Sequence, residues 1–206
     1  GDYEMALPIL LDTIRRKTAI LGEEHPSTLT SMGCIANLYY KQGDYGKALP
    51  MFEECLRIKK ITLGADHRET LQAMNNLGIL YKGQREYEKA LQIMEECFRK
   101  KKTILGDDHP DTILSLKNVA DIYNEQGEYG KAAALFEDCM KKMTAIYGDE
   151  DTDTFYVIYD LANIYSQQGE YQKALPLFKE CFRRRKVVFG ENHPETLAAA
   201  NDLKIC

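Results

Sequence analysis

Sliding the chain against itself by 42 residues superimposes Gly1-Asp2-Tyr3, Gly43-Asp44-Tyr45, Arg85-Glu86-Tyr87, Gly127-Glu128-Tyr129 and Gly169-Glu170-Tyr171 without a gap. A strict period of this length marks one supersecondary unit used repeatedly, and it outranks other signals in setting the fold. A second column holds Leu21-Gly22, Leu63-Gly64, Leu105-Gly106, Tyr147-Gly148 and Phe189-Gly190, each closing a segment that is apolar at helical spacing. Glycine there reads as a helix C-cap. After each glycine comes an acidic turn and then His25-Pro26, His67-Arg68, His109-Pro110, Asp151-Thr152 or His193-Pro194. Proline suits a first helical position, where its missing N–H costs nothing. Each period therefore predicts two helices, A of about 14 residues after the His-Pro turn and B of about 19 after the Gly-x-Tyr turn.

Helix A carries an i, i+3, i+4, i+7 apolar stripe: Met32, Ile35, Ala36 and Tyr39 recur as Met74, Leu77, Gly78 and Tyr81, as Leu116, Val119, Ala120 and Tyr123, and as Ile158, Leu161, Ala162 and Tyr165. Helix B answers with Tyr45, Ala48, Phe52 and Cys55, repeated as Tyr87, Ala90, Met94 and Cys97 and as Tyr171, Ala174, Phe178 and Cys181. The small residues let paired helices approach closely. One such hairpin cannot bury both apolar faces, so stability has to come from stacking on its neighbours.

The pattern apolar-x-x-Leu-(Gly/Ala)-x-x-Tyr, then Gly-x-Tyr, then Ala and an aromatic in helix B, resembles the tetratricopeptide repeat (TPR) and covers essentially the whole chain. The 42-residue length and the Leu-Gly-x-Asp-His-Pro-x-Thr turn from Leu105 to Thr112 are similar to the extended repeats of kinesin light chains, nephrocystin-like proteins and sensor domains of some NOD-like receptors. The usual 34-residue form ends with a helix-B proline, which this chain replaces by a longer helix and the His-Pro turn. The resemblance implies an all-α fold, a right-handed α-solenoid of stacked antiparallel hairpins forming a single array over residues 1–206. The array opens in helix B and stops in helix A, about five repeats, and reads as excised from a longer one.

Composition narrows function further. With 27 Lys and Arg against 32 Asp and Glu, a formal charge of −5, no global field favours nucleic acid or anionic membrane. No apolar run approaches the roughly 18 residues of a spanning helix, and the start lacks a signal peptide's regions, so the expectation is a soluble, cytoplasmic chain without membrane insertion. His25, His67, His109 and His193 occupy one turn position per repeat with no second ligand at i+3 or i+4, which argues for structure over metal. Cys55, Cys97, Cys139 and Cys181 form one helix-B column at helix-packing spacing, too far apart for disulfides; Cys34 and Cys206 fall off it. Gly43-Asp44-Tyr45-Gly46-Lys47-Ala48 lacks the spacing and the Ser or Thr of a phosphate loop. No catalytic constellation leaves the repeat columns, so neither enzyme activity nor a cofactor is expected.

Two features carry binding chemistry. Basic clusters end every helix B: Arg15-Arg16-Lys17, Arg57 with Lys59-Lys60, Arg99 to Lys102, Lys141-Lys142 and Arg183 to Lys186. They suit the helix C-terminal dipole and the acidic turns Glu23-Glu24, Asp107-Asp108 and Asp149-Glu150-Asp151, ahead of a phosphate-reading edge for RNA or lipid. The second feature is the groove that the resemblance places on the A helices, in columns Thr30, Gly33, Asn37; Gln72, Asn75, Ile79; Leu114, Lys117, Asp121; and Tyr156, Tyr159, Asn163. These columns change chemistry from repeat to repeat while the core columns do not, as expected of a surface reading a linear partner.

The expected peptide site spans repeats two to four. Tyr156 and Tyr159 are its aromatic anchors, Leu114 and Ile79 its apolar floor, and Asn37, Asn75, Asn76, Asn118 and Asn163 its amides, with Lys117 and Asp121 beside them. For the tyrosines, contact with an overlying helix is the competing assignment. The carboxylate clamp of some TPR proteins is not matched, because Gly33, Leu114 and Asn118 stand where basic residues belong. The expectation is a protein-interaction scaffold binding a peptide or partner segment. The alternative is head-to-tail self-association, in which the apolar face of the first helix B (Tyr3, Ala6, Leu10, Ile14) meets the final helix A, with Lys204 arguing mildly against the fit.

Overall fold

A computed structural model describes residues 3–148 and 151–205, all in helices and the short turns between them. The helices are α1 (Tyr3–Leu21), α2 (Pro26–Lys41), α3 (Tyr45–Thr62), α4 (Arg68–Gly83), α5 (Tyr87–Leu105), α6 (Pro110–Glu125), α7 (Tyr129–Tyr147), α8 (Thr152–Gln167), α9 (Tyr171–Phe189) and α10 (Pro194–Ile205). Even-numbered helices are the expected A helices and odd-numbered ones the B helices. From α2 to α8 the A helices run 16 residues. The chain divides into two compact units, residues 1–100 and 101–206, the division falling inside α5.

Each A helix starts at a side-chain cap. The N–H of Ser27, Glu69, Asp111 and Glu195 donates to Nδ1 of His25, His67, His109 and His193 at 3.1, 3.2, 3.1 and 3.3 Å. These histidines are therefore caps that satisfy a helix-end donor. Asp151 does the same work for α8, its Oδ1 accepting from the N–H of Thr154 at 3.1 Å. The A helices end at a left-handed residue, Gly43, Gly127 or Gly169 with φ of 77, 79 and 76°, and at the same column in the first unit Arg85 is forced to φ 62°. The N–H of Arg85 donates to the Lys82 carbonyl and that of Glu86 to the Tyr81 carbonyl, both at 2.9 Å, so the chain reversal is kept despite the side chain.

Within the first unit the core is Ile35 and Ala36 of α2, Ala48, Phe52 and Cys55 of α3, Leu71, Met74 and Leu77 of α4, and Ala90, Met94 and Cys97 of α5. The second unit buries the same columns: Leu116, Val119 and Ala120 of α6, Ala132, Phe136 and Cys139 of α7, Ile158, Leu161 and Ala162 of α8, and Ala174, Phe178 and Cys181 of α9. Both stripes read from the sequence therefore face inward, apart from Tyr171 at the start of α9, which is exposed. Each column cysteine donates its S–H to a carbonyl of the preceding A helix, Cys55 to Leu29, Cys97 to Leu71, Cys139 to Ile113 and Cys181 to Phe155, at 3.3–3.8 Å. Burial pushes the Cys139 thiol up to about 12, which keeps it protonated and unreactive. Cys34 is exposed, and Cys206 lies outside the described residues.

Candidate functional site

The basic clusters are the first candidate, and most of their charge is spent internally. Arg16 pairs with Asp12 at 2.8 Å, Arg57 with Glu54 at 2.7 Å and Lys100 with Asp66 at 2.5 Å. In the second unit Lys102 and Lys142 share Asp107 at 3.1 and 3.0 Å, Arg183 and Arg184 share Glu180 at 2.7 and 2.6 Å, and Lys186 meets Glu191. The two guanidiniums hold the Glu180 carboxyl down to about 2, against the opposing push of its partial burial. Of the acidic turn following α7, Asp149 and Glu150 lie outside the described residues.

One column inside these clusters is not a surface feature. Lys59, Lys101 and Arg185 are 9, 7 and 5 % exposed, and each ends on the residue ten positions later, in the first turn of the next A helix. Lys59 Nζ reaches Glu69 Oε2 at 3.0 Å, Lys101 Nζ the Asp111 carbonyl at 3.2 Å, and Arg185 a terminal nitrogen to the Glu195 carbonyl at 3.3 Å. Lys17 does likewise, to the Ser27 carbonyl at 3.2 Å and the Ser31 hydroxyl at 2.8 Å. The column pins α1, α3, α5 and α9 to the A helix that follows each.

The groove columns surround two clefts, one in each unit. The first, about 160 Å³, is lined by Leu29, Thr30, Gly33, Cys34, Asn37, Phe52, Cys55, Lys59, Gln72, Ala73 and Asn76. It brings Asn37 and Asn76 together, but both amides have local bonds: Asn37 Nδ2 donates to the Gly33 carbonyl and Asn76 Oδ1 accepts from Gln72, each at 3.0 Å. Asn75 is buried and lines neither cleft; Ile79 is half-buried and likewise absent from both linings.

The second cleft is larger, about 390 Å³, and lies between α6, the end of α7 and the start of α8. Pro110, Asp111, Ile113, Leu114, Lys117, Asn118, Met143, Tyr147, Asp153 and Tyr156 line it. It unites Leu114, Lys117, Asn118 and Tyr156 of the expected site, with Leu114 53 % and Tyr156 45 % exposed. Lys117 does not reach out of it: Nζ sits 3.2 Å from Asp121 and 3.3 Å from Asp160, and 5.6 Å from the centre of the Phe136 ring. The hydroxyl of Tyr156 donates to Glu195 Oε1 at 3.0 Å, and Arg185 lies over its ring. Tyr159 is half-buried, set edge-on to Phe178 at 5.9 Å and under Arg185 at 5.1 Å, so its ring packs on α9. Asn163 is half-buried on α8, outside the lining. Met143 and Tyr147 come from a B helix, α7, outside the A-helix columns.

Hairpins repeated at a fixed period, with constant inner columns and variable A-helix faces, place the chain among the all-α helical-repeat proteins. It belongs to the tetratricopeptide repeat family, whose sequence profiles match residues 1–61, 34–103, 112–153 and 156–195. TPR chains are protein–protein interaction scaffolds. Among solved structures, a Podosopora anserina protein classed with the kinesin light chains, of nearly identical TPR-like repeats, is 22 % identical with a TM-score of 0.78, over 92 % of this chain and 90 % of that one. BtubC (BKLC) from P. vanneervenii is 16 % identical with a TM-score of 0.77, over 99 % of this chain and 86 % of its own. A Rap protein complexed with Competence and Sporulation Factor is 13 % identical with a TM-score of 0.71, over 99 % of this chain and 59 % of that one. These likenesses establish a TPR fold of the kinesin light chain type. No curated protein matches the chain in sequence. Among the described residues no cluster of His, Cys, Asp and Glu could hold a metal ion, and no helix is long and apolar enough to cross a membrane.

Proposed function

We propose that this chain holds a linear segment of a partner protein, and that the cleft between α6, α7 and α8 is where the segment's anchoring side chain enters. The observation that carries this reading is the cleft itself: about 390 Å³, with exposed Leu114 and Tyr156 on its walls and apolar Ile113 and Met143 within the lining. A volume near the lower end of the roughly 300–1,000 Å³ seen for binding clefts suits one or two side chains rather than a large ligand. Aromatic and aliphatic groups around a few polar ones give both contact area and orientation. One protein of the same fold was solved as a complex with Competence and Sporulation Factor, which is consistent with a partner-holding role.

Calorimetry against peptides captured from a random library tests the assignment. Leu114→Ala and Tyr156→Ala each weaken binding by about tenfold, the cost of one lost apolar anchor. Asn37→Ala, in the other unit's cleft, leaves it unchanged. Equal affinity in all three variants contradicts the placement.

A further inference from the structure

The buried cation column runs through positions 17, 59, 101, 143 and 185 at the 42-residue period, and at position 143 it holds methionine. Ten residues on, the position nevertheless stays acidic: Asp153 stands where Glu69, Asp111 and Glu195 stand in three of the other repeats, the first having Ser27. Met143 is buried and ends in a thioether that donates nothing, so α7 is the helix whose column residue cannot bridge to the next A helix. The carboxylate of Asp153 has no ion pair or hydrogen bond among the described residues. A first-turn acid is favourable to its own helix dipole, which explains an acid there but not the missing cation.

That gap coincides with the larger cleft. Met143 and Asp153 both line it, together with Asp111, Leu114, Tyr147 and Tyr156. The cations nearby are committed elsewhere: Lys117 to Asp121 and Asp160, Lys101 to the Asp111 carbonyl, and Arg185 to Glu195. Two carboxylates, Asp111 and Asp153, line the cleft. Burial pushes the Tyr147 phenol up, and with Asp151 they add to that push.

We infer that the cleft takes a lysine or arginine side chain from the partner segment, which supplies the cation that the column lacks at Met143. Its aliphatic stem lies along Ile113, Leu114 and Met143, and its head meets Asp153 and Asp111. Long cationic side chains bury their stems against apolar surface in this way while their heads keep a polar partner. The inference rests on the reading of this cleft as the partner site and adds the chemistry of its occupant.

The test is a fluorescence-anisotropy comparison of short labelled peptides carrying one central lysine, arginine, norleucine or glutamate between leucines. They are titrated with the native chain and with Met143→Lys, Asp153→Asn and Met143→Leu. Lysine stands at this column position in three other repeats, so Met143→Lys keeps the fold, which its circular dichroism melt verifies. The lysine and arginine peptides bind best. Their affinity falls about tenfold or more in Met143→Lys and Asp153→Asn, as when one partner of a charge pair is removed or a like charge fills its place, while Met143→Leu retains it. Equal binding of the lysine, norleucine and glutamate peptides, or full binding by Met143→Lys, overturns the inference. Norleucine or glutamate peptides that bind best and are lost in Leu114→Ala sink the cation while leaving the partner cleft standing. No binding by any peptide sinks both.

Discussion

Six lining residues of the first unit's cleft, Leu29, Thr30, Gly33, Cys34, Lys59 and Gln72, have their counterparts 84 residues on in the second unit's cleft: Ile113, Leu114, Lys117, Asn118, Met143 and Tyr156. The same position of the repeat is thus furnished in two ways. In the first unit Lys59 crosses to Glu69 and the walls are small, leaving about 160 Å³. In the second, Met143 has no donor for Asp153, and Leu114 and Tyr156 stand on the walls, leaving about 390 Å³. A repeat protein can therefore turn a structural position into a binding one by changing a few side chains, because the backbone at that position is already fixed by caps and core.

The largest effect separates support from contact. Phe136 is fully buried beneath Lys117, and Phe136→Ala costs about 3–5 kcal/mol in urea unfolding, whereas Tyr156→Ala at the half-exposed wall costs about 1 kcal/mol or less. Comparable losses would mean that Tyr156 is part of the core.

Exchanging the column residues breaks the contrast directly. Lys59→Met lowers stability by on the order of 1 kcal/mol, since Glu69 remains half-exposed and can rehydrate. Adding Glu69→Gln then costs only the few tenths of a kcal/mol, about 0.3–0.5, that a first-turn acid gives its helix dipole. A double variant clearly less stable than Lys59→Met would show that Glu69 acts independently of the column.

A backbone difference between repeats gives a gain of similar size. Arg85 occupies the left-handed position filled by glycine at 127 and 169, so Arg85→Gly raises stability by about 1 kcal/mol. An unchanged denaturation midpoint would show that the strain is relieved elsewhere.

The smallest effects appear in the pH dependence. Burial and a Glu partner push Tyr81 in the first unit and Tyr165 in the second up to about 12, so the folded chain keeps protons that the unfolded chain gives up from about pH 10. Stability from these groups is full below pH 10 and is lost between 10 and 12 in both units. At the acid end Glu180, held to about 2 by Arg183 and Arg184, contributes above about pH 4.5 and loses that contribution as pH falls toward 2. Glu180→Gln flattens the acid limb of the stability profile, measured by urea midpoint against pH; an unaltered limb contradicts the pairing.

Much of the fold was legible because period, glycine caps and His-Pro turns are local signals, and the structure places helix ends at Gly43, Gly127 and Gly169 and starts at the four histidine caps. The core columns were legible for the same reason. Adjacent cations such as Lys59 and Lys60 look alike in sequence, and only the structure shows that Lys59 is buried and Lys60 exposed. The signal was nonetheless available, in an acid ten residues after four of the five column positions and in the methionine that interrupts the column. Asn75 and Tyr159 fit groove columns by spacing, but the rotation of each helix against its neighbour buries the first and packs the second on Phe178.

The most direct test follows the methyl resonance of Met143, assigned by Met143→Leu, while lysine and norleucine versions of the leucine-flanked peptide are added to the native chain. The account predicts a saturable shift with the lysine peptide and little with norleucine, with the core methyls of Met74 and Met94 unmoved. A Met143 resonance that stays put while the lysine peptide binds would contradict it.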